Sequence, residues 1–213
     1  MDLPLKIKIC GLTRKEDVSL ALSLGADYFG FIVYSKSSRA LTLECAVGLA
    51  AEVPVDKRVI VDVEPSADDL ERYRDAGFGA FQIHARREQG VSSLADWSGL
   101  VGRELLWFAP RIKPGEAFPK IAIDFANTIV MDSYSSNQVG GTGKTGDWES
   151  FKALRKSYPA TRWILAGGLG PDNVQDALNV TGSSFVDVNS GVESAPGVKD
   201  ADRMRKLFGL LHF

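Results

Sequence analysis

RWILAGGLGPDNV, residues 162–174, packs a whole structural unit into one short stretch. An apolar run of strand length, Trp163 to Ala166, stops at Gly167-Gly168, and Pro171-Asp172 opens a segment with helical spacing. Glycine lets the chain turn where a side chain would block it, and proline at a helix start costs no hydrogen bond. The unit is strand, tight turn, helix, and the fold depends on whether it repeats.

It repeats along the chain. β-rich runs recur roughly every 25 residues: KIKIC (6–10), YFGFIVY (28–34), RVIVDV (58–63), AFQIHA (80–85), LLWFAP (105–110), TIVMDS (128–133), RWILAG (162–167) and SFVDVN (184–189). Between most of them apolar residues fall at helical spacing, as in Val18, Leu20, Ala21, Leu22 and Leu24, or Trp148, Phe151, Leu154 and Tyr158. Helix starts are marked by a capping-box pattern at Thr13 and Glu16, by Pro65-Ser66 before 67–73, and by Pro171-Asp172 before 173–178. Alternating strand and helix imply parallel βα units, and eight of them in 213 residues favour one closed (β/α)8 TIM barrel, a single domain over 1–213. One interval departs. RIKPGEAFPKIAIDFAN (111–127) holds Pro114 and Pro119 and no long amphipathic period, so the fifth helix should be short or irregular.

Composition narrows the function. A content of 45% hydrophobic and 24% charged residues is that of a globular chain, and a net charge of −2 offers no basic face for nucleic acid. No run approaches a membrane span and residues 1–8 lack the apolar core of a signal peptide, which points to a cytoplasmic protein with no membrane partner. Cys10 and Cys45 are too few for a disulfide framework and should be free thiols, with Cys45 an ordinary helix-packing residue.

In such a barrel the chemistry sits at the C-terminal ends of the strands. The polar residues there are Cys10, Tyr34 with Arg39 beyond it, Asp62, His84, Asp132, Gly167-Gly168, and Asp187 with Asn189. Strand alternation puts Lys8 and Cys10 on the inner face and Ile7 and Ile9 toward the helices. A lysine two residues from the thiol would favour the thiolate, a proton acceptor. A buried structural cysteine is the other reading. Asp132 shares its face with Val130; confined in the mouth, its pKa would rise toward that of a general acid, whereas a turn aspartate would do nothing of the kind. QVGGTGKTGDW (138–148) is not a Walker A, because Gln138 stands where its first glycine is required, and it reads as a loop covering the site. Gly167 and Gly168 after strand seven, with Asn189, Ser190 and Gly191 after strand eight, fit the recurrent phosphate site of this fold, unless the glycines only make tight turns.

Taken in order, KICGLTR, the Arg39 loop after GFIVY, MDSYSSNQVGGTGKTGDW, LAGGLGPDNV and DVNSGVE resemble the phosphoribosylanthranilate isomerase family of tryptophan biosynthesis, over nearly the whole chain. The resemblance implies a cofactor-free and metal-free Amadori rearrangement of a phosphorylated small molecule. It also implies Cys10 as general base, Asp132 as general acid, Arg39 against the anthranilate carboxylate and Asp187 as a polar substrate contact. Departures lie at His84-Ala85-Arg86-Arg87-Glu88, at Gly146, at WFAPRIKPGE and at Asn189-Ser190. A related or dual-substrate phosphosugar isomerase and a non-catalytic phosphate-ligand barrel are the alternatives, and a monomer or homodimer is expected.

Overall fold

A computed structural model describes residues 4–85, 93–112, 116–132 and 148–211. Eight parallel strands close into a barrel in which each strand pairs with the next: β1 Lys6–Ile9, β2 Tyr28–Ile32, β3 Arg58–Val63, β4 Ala80–Ala85, β5 Leu106–Pro110, β6 Thr128–Asp132, β7 Arg162–Ala166 and β8 Phe185–Val188. β8 closes back on β1 with Lys8 opposite Asp187 and Ile9 opposite Val188. The described helices around it are α1 Lys15–Ser23, α2 Leu43–Ala50, α3 Ala67–Asp75, α4 Leu94–Val101, α5 Ala122–Phe125, α6 Trp148–Ser157, α7 Val174–Thr181 and α8 Ala201–Leu211.

The period of two along each strand divides the core into two layers. Ile7, Ile9, Phe29, Phe31, Phe81, Ile83, Ile129 and Val186 face outward and pack under the helices. Val59, Val61, Val130, Ile164 and Phe185 face inward. Low in the barrel, Tyr28 stacks on Phe185 with centroids 5.3 Å apart and takes the edge of Trp107 at 4.9 Å. This aromatic plug fills the barrel interior below the cavity that opens at the C-terminal strand ends.

Local sequence sets the helix ends. Ser66 caps α3 in a full capping box with Asp69, as the Pro65-Ser66 signal implies. At α1 the expected box fails. Arg14 is the N-cap residue with no side-chain cap, while the Thr13 hydroxyl donates instead to the Gly197 carbonyl. A long-range partner has taken the hydroxyl that the local pattern reserved for the helix. α5 is one short turn, matching the proline-broken interval before β6. Both thiols are free, but Cys45 is exposed on α2 rather than packed, because Ala46 and Ala50 carry that helix's buried face. Beyond β8, Glu193–Ala195 (β9) and Val198–Lys199 (β10) form a small antiparallel hairpin that lies outside the eightfold repeat.

Candidate active site

A cavity of about 390 Å³ opens at the C-terminal ends of the strands. Cys10, Asp132, Gly167, Gly168, Asp187, Asn189 and Ser190, the polar strand ends singled out in the sequence, all line it, together with Gln82 and His84 from β4.

The wall at the β1–β8 seam is dry and charged. Cys10 is 4% exposed and Lys8 is fully buried, its Nζ donating to Asp187 Oδ2 at 2.8 Å. Burial would lower the lysine's pKa, but the Asp187 carboxylate and the Cys10 sulfur beside it together outweigh that and hold it above its ordinary value, so it is an ammonium. The thiol departs from the simple expectation of a stabilised thiolate. Burial pushes its pKa up, and Lys8 offsets only part of that rise, because Asp187 adds a repelling charge. Among the described residues Asp187 Oδ1 and Gln82 Oε1 are buried without a hydrogen-bond partner, two acceptors at the cavity that a ligand's hydroxyl groups or water would satisfy. Gln82 Nε2 lies 2.9 Å from His84 Nε2. Desolvation, helped by the Lys8 charge, lowers the His84 pKa to about 4, so the ring is neutral at physiological pH.

The wall at β6 is different. Asp132 reaches the same cavity from its strand end but is exposed, in contrast to the buried thiol across from it. The aspartate is the last residue of β6, still in register with Ala166 of β7. The glycine-rich loop expected to cover the site, together with Arg86 and Arg87, lies outside the described residues.

Arg39 stands behind Gly11, whose absent Cβ would fall 2.7 Å from Arg39 Cδ and 2.6 Å from Asn189 Oδ1. Its guanidinium is not spare. Nε donates to Glu193 Oε1 at 2.8 Å and Nη2 donates to Glu193 Oε2, a bidentate pair on β9. Lys199 on β10 joins them, donating to Glu193 Oε1 at 3.0 Å and to Asn189 Oδ1 at 3.0 Å. Burial alone would raise the Glu193 pKa, but the two cations outweigh it and hold the carboxyl below its ordinary range. Sequence reasoning assigned no role to Glu193 and Lys199. Their signal, a Glu and a Lys six residues apart around Gly197, has no meaning until the hairpin is seen.

The two phosphate-type loops touch backbone to backbone. A Cβ on Gly191 would lie 1.9 Å from the Leu169 carbonyl oxygen, so only glycine permits the approach. Gly191 is thus the packing contact between the loops and lies behind the lining. Gly167 and Gly168 do line the cavity, at φ of +95° and +62°, and among the described residues their amides donate to no carbonyl or side chain. Free amides in a glycine turn form an anion cradle. No group of three or more His, Cys, Asp or Glu side chains is placed to hold a metal ion among the described residues.

Comparison with known proteins decides the family. The model for N-(5'-phosphoribosyl)anthranilate (PRA) isomerase matches residues 7–209. The chain belongs to this isomerase family. The N-(5'-phosphoribosyl)anthranilate isomerase of Synechococcus elongatus is 36% identical over 97% of this chain and 96% of its own length; that of a Thermoanaerobacter species is 37% identical over 94% of each. Among solved structures, a monomeric form of the dimeric isomerase from Thermotoga maritima superposes with a TM-score of 0.77 at 32% identity, covering 96% of both chains. A family member in complex with reduced 1-(o-carboxyphenylamino)-1-deoxyribulose 5-phosphate gives 0.74 at 27% identity, again over 96% of both chains. As a phosphoribosylanthranilate isomerase family member the chain is an aldose–ketose isomerase of tryptophan biosynthesis built on the TIM barrel. Among the described residues no helix is long and apolar enough to cross a membrane.

Proposed function

We propose that this cavity carries out the family's Amadori rearrangement with Asp132 as general acid and Cys10 as general base. The observation that supports it is that one cavity is lined by a buried thiol at the end of β1, a carboxyl at the end of β6 and the free glycine amides of β7. Asp132 gives its proton to the furanose ring oxygen as the C1′–O bond breaks, its electrons go to that oxygen, and the anilino nitrogen's lone pair forms the iminium. The Cys10 thiolate takes the C2′ proton, and the C–H electrons become the C1′=C2′ double bond of an enolamine. The enolamine tautomerises to the ketone. The cationic iminium both acidifies C2′–H and favours the thiolate, whose formation burial otherwise opposes.

Gly167, Gly168, Asn189 and Ser190 hold the phosphate, with Gly191 keeping their two loops in contact, and Asp187 accepts from a sugar hydroxyl with its unpartnered Oδ1. Arg39 meets the anthranilate carboxylate by exchanging part of its pairing with Glu193, which Lys199 continues to neutralise. The whole chain acts as one barrel, in the cytoplasm, as a monomer or homodimer, and sedimentation would read the latter. The test of the chemistry is loss of anthranilate fluorescence from freshly made phosphoribosylanthranilate, without added metal or cofactor. Wild type should convert it, and Cys10→Ser and Asp132→Asn should nearly abolish conversion while remaining folded. Near-normal turnover in either variant sinks the assignment of that residue.

A further inference from the structure

Lys8 is buried at the closing seam of the barrel, and the reaction proposed above gives it no step of its own. An ammonium has three donors; one goes to Asp187 Oδ2, and the Cys10 sulfur stands as a second side-chain partner. Stability alone does not account for it, since a buried ion pair is commonly no better than apolar side chains of the same volume. The neighbour it faces is the sulfur. Gly30 on β2 lies against both side chains: a Cβ built there would sit 2.8 Å from Cys10 Sγ, 3.0 Å from Lys8 Nζ and 3.0 Å from Lys8 Cε. The missing methyl group is the space in which ammonium and thiol lie side by side.

We propose that Lys8, anchored by Asp187, is a positioning residue that supplies the counter-charge for the Cys10 thiolate, and that Gly30 is the gap that allows the two to meet. This rests on the reading of Cys10 as the base. The charged and titratable groups facing the sulfur come from every side. Lys8 lies on its own strand, Asp187 on β8, neutral His84 on β4 and Asp132 on β6, while Lys199 reaches in from the hairpin and Arg39 from beyond β2. Lys8 acts on the thiol more strongly than any other cation among them. When Cys10 ionises, Lys8 stands between two anions, Asp187 and the sulfur, and the iminium of the ring-opened substrate brings the second positive charge. Catalytic power at this wall is then a matter of where one buried ammonium leans.

The test reads the thiol without substrate, so its failure is distinct from a failure of the isomerase assignment. In a Cys45→Ser background, the rate of Cys10 alkylation by iodoacetamide is followed against pH for the parent, Lys8→Met, Asp187→Asn and Gly30→Ala, with folding checked by circular dichroism. Lys8→Met should move the midpoint up by about one unit or more, cutting the rate at pH 7 about tenfold. Gly30→Ala should move it in the same direction by prising the pair apart, and Asp187→Asn should move it down by releasing Lys8 to the sulfur. Should Lys8→Met fail to fold, the opposite shifts of the other two carry the test. Midpoints that stay within a few tenths of the parent in the folded variants, with only melting temperature changed, overturn the proposal and leave Lys8 a structural ion pair.

Discussion

The two walls of the cavity are built on opposite principles. At the β1–β8 seam, Cys10, Lys8 and Asp187 are locked below the surface by register, with both partners of the ion pair in the wall itself. At β6, Asp132 stands exposed at the rim as the last residue of the strand. The thiol side is held by buried, fixed charges, whereas the carboxyl side is exposed. A proton acceptor that must ionise in a dry place needs fixed countercharges beforehand. A carboxyl at the rim can exchange its proton with solvent between turnovers.

The sharpest way to break this contrast is to remove each group separately. Cys10→Ser and Asp132→Asn should each lower kcat by about 10²–10⁴, measured by fluorescence loss under saturating substrate. If Asp132→Asn changes only KM, the exposed wall holds substrate and does not protonate it. Next in size is the charge cluster behind the mouth. Glu193→Gln leaves fully buried Lys199 without its carboxylate and should cost about 3 kcal/mol in denaturant unfolding; a loss comparable to that of an exposed surface pair would mean that solvent already screens the cluster.

His84 sharpens the contrast through pH. Its folded pKa of about 4 lies below the ordinary 6.5, so the unfolded chain takes up the proton first. Its contribution is therefore intact above about pH 6.5 and is lost as pH falls toward 4, on the order of 3 kcal/mol. His84→Asn should flatten the fall in melting temperature across that window, and an unchanged slope would show that the ring is already charged or wet in the fold. The smallest effect belongs to Cys45→Ser. On the exposed face of α2 it should alter stability by less than about 0.5 kcal/mol and activity not at all, so a measurable activity loss would place function on a wall that neither half of the comparison includes.

How far the sequence could be read follows from the range of the interactions. The strands were legible to within a residue or two, because Ile7/Ile9 and Val130/Asp132 alternate by a rule each strand carries in itself. The position of the site followed from topology, which is why Cys10, Asp132, Asp187 and the glycine loops do meet. Three readings depended on neighbours that no local pattern names. Thr13 gave its hydroxyl to Gly197 instead of its own helix. The Cys10 thiol was raised by burial in spite of the lysine two residues away. Arg39 proved to be engaged by a glutamate 154 residues later in the chain, on a hairpin that the eightfold repeat does not predict.

The closing seam has a consequence in time. Lys8 and Asp187 are 179 residues apart, so the thiol-bearing wall is made of the first strand and the last. Until β8 docks on β1, the Asp187 carboxylate and the Val188 carbonyl that meet the Lys8–Cys10 strand end are not in place. Protection of that one thiol is therefore a clock for barrel closure, the slow, long-range event in a fold of this topology.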